Sequence, residues 1–114
     1  MVSILSEVDV LALPTTKSTG LRIAPGDERT GRLDAQGVLA MCRYTFLGNL
    51  TGLPAGTAPV GLDPNGLPIG LQILGDAWDE ATVLSCLATL ERTGASRPPR
   101  SAHHVGDSVL RMTP

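Results

Sequence analysis

With 114 residues, 42% of them hydrophobic and 18% charged, the chain is sized for one folded domain and is too apolar for general disorder. A net charge of −2 without a basic stripe, and a single Trp, Tyr and Phe, argue against nucleic acid as a partner. No run approaches the ~20 apolar residues of a membrane span. Ser6, Glu7 and Asp9 interrupt the apolar start, which also lacks a basic leader, so the expected compartment is the cytoplasm and no membrane partner is expected.

In chain order, "VDVLALPTT" is a short apolar run that stops at Pro14, which predicts a buried strand near 8–13. Residues 17–33 hold four of the nine basic residues and three glycines, and read as a loop. Asp34 is placed to cap a helix near 35–46, whose start Gly37 weakens by ~1 kcal/mol relative to Ala. Strands are predicted at 55–61 and 68–74. The Asp63-Pro64-Asn65-Gly66 turn between them implies an antiparallel hairpin.

"WDEATVLSCLATLERTG" predicts the clearest helix, near 78–93. Asp79 stands at its cap, Val83, Leu84, Leu87 and Leu90 form its apolar stripe, and Gly94 lies just past its end. Residues 95–114, with three prolines and little periodicity, read as a loosely packed tail after a folded region at 1–94. The expected architecture is α/β: a small mixed sheet of about three strands with two helices covering one face.

Taken alone, the residues offer no catalytic constellation. Asn49-Leu50-Thr51 matches a glycosylation acceptor, but without a secretory leader the match is read as chance. His103-His104 has no carboxylate or thiol at ligand spacing, and Cys42 and Cys86 sit inside predicted helices as small apolar groups. Turn and cap duties account for Asp63, Asp76, Asp79 and Glu80. Neither a nucleophile elbow nor a phosphate-cradling glycine loop is present, and neither a cofactor nor a metal is expected.

Residues 44–84 carry a longer pattern. Tyr44-Thr45, then Asn49-Leu50-Thr51-Gly52-Leu53-Pro54-Ala55, Pro59-Val60-Gly61, Gly66-Leu67-Pro68-Ile69-Gly70-Leu71-Gln72, Gly75 and Asp79-Glu80-Ala81-Thr82 follow in order. This succession resembles the C-terminal region of the amidase signature family, and "DVLALPTT" is similar to that family's preceding strand and Pro-Thr loop. The resemblance covers roughly residues 5–92. Departures from it are Gly56-Thr57, Leu47 and Cys42, at places where relatives carry other residues, so substrate preference does not transfer.

The resemblance implies hydrolysis of a carboxamide by a Ser–cis-Ser–Lys triad, in which a neutral Lys takes the proton relayed from the nucleophile and backbone amides hold the oxyanion. No Gly/Ser-rich segment of that kind is present, and the lone Lys17 follows the Pro-Thr loop. No residue here is therefore expected to be catalytic. Thr15, Thr16, Tyr44, Thr45 and Asn49 are expected to be substrate-proximal, and a small-molecule amide is the expected partner only together with the missing catalytic half.

Three readings stand side by side. The chain is a C-terminal piece of an amidase, inactive alone. Alternatively it is a binding or assembly module that associates through exposed sheet edges. The third reading is the product of a truncated gene without a selected activity.

Overall fold

A computed structural model describes residues 2–21, 24–27, 31 and 34–97. Of the tail predicted at 95–114, the part from 98 onward, with His103 and His104, lies outside the described residues. After a single helical turn, α1 (Val2–Leu5), strand β1 runs over Val10–Pro14. Helices α2 (Ala35–Cys42) and α3 (Thr45–Thr51) precede the hairpin strands β2 (Ala55–Leu62) and β3 (Pro68–Gly75), and α4 (Glu80–Arg92) follows.

β3 lies in the centre of the sheet, in the order β1-β3-β2, and both pairings are antiparallel. The α/β class is as expected, but the sheet is antiparallel throughout where a mixed one was expected. A chain returning through a tight turn can pair only antiparallel, and β1 meets the free edge of β3 in the same sense. The hairpin turn forms as predicted. Asp63 Oδ1 accepts from the N–H groups of Asn65 and Leu67, both at 2.8 Å, and Gly66 takes the left-handed conformation at φ 81°.

The register sorts the sheet residues onto two faces. Thr57 stands opposite Gln72 and Ala55 opposite Leu74, while Leu13 and Leu11 oppose them from β1. Gly56 and Ala58 pair with Ile73 and Leu71 and so point the other way. On that second face α4 packs closely. A side-chain carbon at Gly56 would stand 2.5 Å from Leu87 Cδ1, and one at Gly75 would stand 2.8 Å from Val83 Cγ2. Only the missing side chains let the helix approach so near.

The first face receives α3 instead, where Gly48 comes up to Leu74 and Ala55. The helices thus flank both faces, not one as expected, because Leu74 and Gly75 are successive strand residues and must point apart.

The predicted helix 35–46 is also two helices. Thr45 Oγ1 donates to the Cys42 carbonyl at 3.3 Å and the Leu47 N–H to the Tyr44 carbonyl at 3.2 Å, so the chain turns at Arg43-Tyr44 and restarts. Asp34 caps α2 as expected, its Oδ1 accepting from the Gly37 N–H at 2.9 Å. Asp79 caps α4 by accepting from the Thr82 N–H, and Gly94 ends it at φ 72°.

Pro59 sits mid-strand in β2. β2 is an outer strand, and the ladder shifts register between Pro59 and Gly61, so the absent N–H falls at a bulge. Buried apolar side chains are few: Leu5, Ala58, Ile73, Leu74 and Val83, with Leu74 wholly enclosed. Among the described residues, no helix is long and apolar enough to cross a membrane.

Candidate functional site

Thr15 continues the line of β1 just past Pro14, and its N–H donates to the Gly70 carbonyl at 2.9 Å. That bond places the Thr15 side chain over β3, on the same face as Thr57 and Gln72. The two threonine hydroxyls are hydrogen-bonded to each other across Gly70. A side-chain carbon at Gly70 would lie 2.6 Å from Thr15 Oγ1 and 3.0 Å from its Cβ, so a glycine there vacates the space the hydroxyl pair occupies. Thr57 Oγ1 also donates to the Leu71 carbonyl at 3.0 Å.

α3 closes the other side. Its N-terminal turn presents Thr45, and one turn later Gly48 and Asn49 follow, with Leu53 and Ala55 leading into β2. Together these residues enclose a cleft of about 330 Å³ lined by Thr15, Thr45, Gly48, Asn49, Leu53, Ala55, Gly56, Thr57 and Gln72. Its walls carry hydroxyls and two carboxamides, and none of the lining residues is titratable.

Gln72 is the unusual member. It is only 4% exposed, and its Nε2 is buried without a hydrogen-bond partner. Leaving such a donor unpaired costs about 1–3 kcal/mol, and it stands at the wall of the cleft.

The cleft brings together three of the five residues expected to be substrate-proximal: Thr15, Thr45 and Asn49. Thr16 turns away and donates to the Ser18 carbonyl at 2.6 Å, and Tyr44, half-buried between α2 and α3, does not line the cleft. Thr57 and Gln72 are the residues that sequence reading missed. The turn at 63–66 pairs Leu62 with Pro68 and alone would set Thr57 across from Ile73; the register shift between Pro59 and Gly61 brings Thr57 opposite Gln72, and nothing in the sequence reading announced that shift.

A second hollow, about 560 Å³, runs between α4 and the opposite face, along Ile73, Ala81, Thr82, Ser85, Cys86, Thr89 and Leu90. It is the larger of the two but holds none of the expected residues. Among the described residues, no group of three or more His, Cys, Asp or Glu side chains is placed to hold a metal.

Asp63, at the hairpin turn, is a well-supported carboxylate. The Thr19 hydroxyl donates to its Oδ2 at 2.7 Å, and with the N–H groups of Leu67 and Asn65 this holds its pKa below the usual 3.8 against a small opposing effect of burial. Those bonds tie the 15–21 loop to the hairpin, and so fix the strand end that carries Thr15.

Comparison with known proteins places this geometry in context. The amidase family model matches residues 1–84. A fatty acid amide hydrolase of Medicago truncatula is 44% identical over 89 residues, covering 78% of this chain and 15% of that protein. A glutamyl-tRNA(Gln) amidotransferase subunit from Brevibacillus brevis is 40% identical over 91 residues, covering 80% of this chain and 18% of that protein.

Among solved structures, the corresponding glutamyl-tRNA(Gln) amidotransferase subunit from Thermotoga maritima superposes with a TM-score of 0.70 at 26% identity, covering 85% of this chain and 21% of that one. A 6-aminohexanoate cyclic dimer hydrolase in complex with substrate gives a TM-score of 0.60 at 32% identity, covering 81% and 21%. The chain therefore spans about a fifth or less of the proteins it matches. Its sheet, its flanking helices and the ordered motif from Tyr44 to Thr82 identify it as a member of the amidase family.

Proposed function

We propose that this chain forms one wall of the substrate cleft of an amide-hydrolysing enzyme and does not itself break the amide bond. The observation that carries this reading is the cleft's composition. Hydroxyls and carboxamides line it, yet no residue in its wall is titratable, so none can serve as the base that activates a nucleophile. Such a wall can hold and orient a substrate; the proton transfers of amide hydrolysis need groups from elsewhere.

Exposed apolar side chains support a role within something larger. Leu50 is 72% exposed and Phe46 59%, both on α3 beside the cleft, and Leu39 on α2 is 71% exposed. The two free cysteines, Cys42 and Cys86, favour a reducing compartment, and we take it to be the cytoplasm.

The test is a graft. Residues 1–92 replace the matching stretch of the Medicago truncatula fatty acid amide hydrolase, and hydrolysis of a fatty acid amide is followed. The expected result is hydrolysis by the graft and none by the 114-residue chain alone. A folded graft without activity would count against the reading. So would turnover by the isolated chain that a substitution within it abolishes.

One further observation favours a second role, association through the sheet. β1 and β2 are both outer strands, and Trp78, 92% exposed, is held in the left-handed region at φ 67° beside the end of β3. Light scattering on the purified chain checks this reading: concentration-dependent dimers support it, and a monomer at every concentration removes it.

A further inference from the structure

Asn65-Gly66 is the only Asn-Gly or Asp-Gly pair in the sequence, and it stands at the tip of the β2–β3 hairpin. Both residues are exposed. A side-chain carbon at Gly66 would meet nothing within 4 Å, so neither a side chain nor a packed neighbour shields its backbone nitrogen. That nitrogen can reach the carboxamide carbon of the residue before it, and joining the two closes a succinimide ring.

The closed turn works against that step. The Gly66 N–H donates to the Asp63 carbonyl at 2.9 Å, and Asp63 Oδ1 accepts from the N–H groups of Asn65 and Leu67, both at 2.8 Å. One residue thus holds the backbone on both sides of the pair, and the Gly66 N–H stays engaged while those bonds stand. A hairpin tip whose bonds are exposed lies at the low end of local stability and opens without unfolding the sheet. Asn49, the other asparagine, is placed differently. It lies within α3, and the branched side chain of Leu50 crowds the nitrogen that would attack.

We propose that Asn65 is a site of spontaneous covalent modification, converted through a succinimide to aspartyl and isoaspartyl links, and that the Asp63 bonds gate its rate. Hydroxide removes the Gly66 N–H proton, and the nitrogen attacks Asn65 Cγ. The bond from Cγ to Nδ2 breaks, and Nδ2 takes up a proton and leaves as ammonia. Water then opens the imide. Attack at Cγ breaks the new Cγ–N bond and leaves an ordinary aspartyl link. Attack at the main-chain carbonyl breaks the original C–N bond and leaves Gly66 joined through Cγ. One water is consumed and one ammonia released, with nothing oxidised or reduced.

The isoaspartyl route inserts Cβ into the main chain at the turn, so the closing bonds to Asp63 no longer fit. The Thr19 hydroxyl, which donates to Asp63 Oδ2 at 2.7 Å, then loses its fixed partner. Modification at the hairpin tip is therefore felt in the 15–21 loop. None of these steps depends on the amide-hydrolase reading.

The test incubates the 114-residue chain in neutral and in mildly alkaline buffer and locates the amide-to-acid mass gain by peptide fragmentation. An isoaspartyl methyltransferase with a labelled methyl donor is the probe for the isoaspartyl product. The gain is expected at Asn65 and not at Asn49, with a rate that rises with hydroxide concentration, and the methyl label should enter the same peptide. Unfolding in guanidinium chloride should speed the gain at least about tenfold, because the turn is then always open. In the 15N-labelled converted chain, the backbone amide of Thr19 should shift. An Asn65 that converts no faster than Asn49 overturns the site. No acceleration on unfolding overturns the gate, and an unmoved Thr19 amide overturns its link to the loop.

Discussion

Gln72 and Ile73 are neighbours in β3, buried almost equally at 4% and 5% exposure, and they look in opposite directions. On the Ile73 face, α4 closes over the sheet and apolar side chains meet, with Val83 and Leu87 filling the space above Gly56 and Gly75. On the Gln72 face, a glycine at position 70 makes room for two hydroxyls, and the buried amide beside them has nothing to bond. Both faces use glycine to let groups come close. One uses the room for packing, the other for polar groups that keep an open cleft. The difference lies in what each face does with that room: α4 packs against the Ile73 face, while the Gln72 face, which also holds the wholly enclosed Leu74 under α3, carries an unpaired donor beside an open cleft.

If that division is right, substitutions on the two faces behave differently. The largest loss is expected from Ile73→Ala, which empties a buried site under α4 and should cost about 2–5 kcal/mol in a denaturant melt. Gly56→Val follows at about 1–3 kcal/mol, because the new side chain meets Leu87 and Val83. Gln72→Met is equally buried yet should leave stability unchanged or raised by up to about 1 kcal/mol, since it removes an unpaired donor. A loss at Gln72 as large as that at Ile73 would erase the contrast between the faces.

The smallest effect concerns Asp63, which ties the 15–21 loop to the hairpin turn. Its carboxyl has a lower pKa in the folded chain than when unfolded, so it binds a proton less readily when folded and stabilises the fold above the usual value of 3.8. That contribution is lost as pH falls through the depressed folded value. Melting curves of wild type and Asp63→Ala should therefore differ near neutral pH and converge below 3.8. A gap that stays constant with pH would assign Asp63 a role independent of its charge.

Much of this was readable in the residues. The hairpin declared itself through Asp63-Pro64-Asn65-Gly66, the last helix through Asp79 and its apolar stripe, and the family through the ordered motif between Tyr44 and Thr82. Other features were hidden for physical reasons. Apolar spacing does not reveal a break such as Arg43-Tyr44, because a threonine hydroxyl three residues on can satisfy the helix-ending carbonyl without any change in pattern.

Which face a helix covers depends on tertiary contacts, so the division of α3 and α4 between faces was not legible. The cleft was half legible: Thr15, Thr45 and Asn49 were expected near a substrate. Gln72, in "PIGLQIL", reads as one polar residue in a buried strand until the register sets it beside Thr57 and Thr15.

The most direct test of the central claim, that the Gln72 face is a substrate-holding wall without catalytic groups, is steady-state kinetics on the graft with and without Gln72→Met. A wall residue holds the substrate equally in the ground and transition states, so KM for the amide should rise about 2- to 10-fold with kcat nearly unchanged. An unchanged KM, or a kcat that collapses while KM stays fixed, would contradict the account.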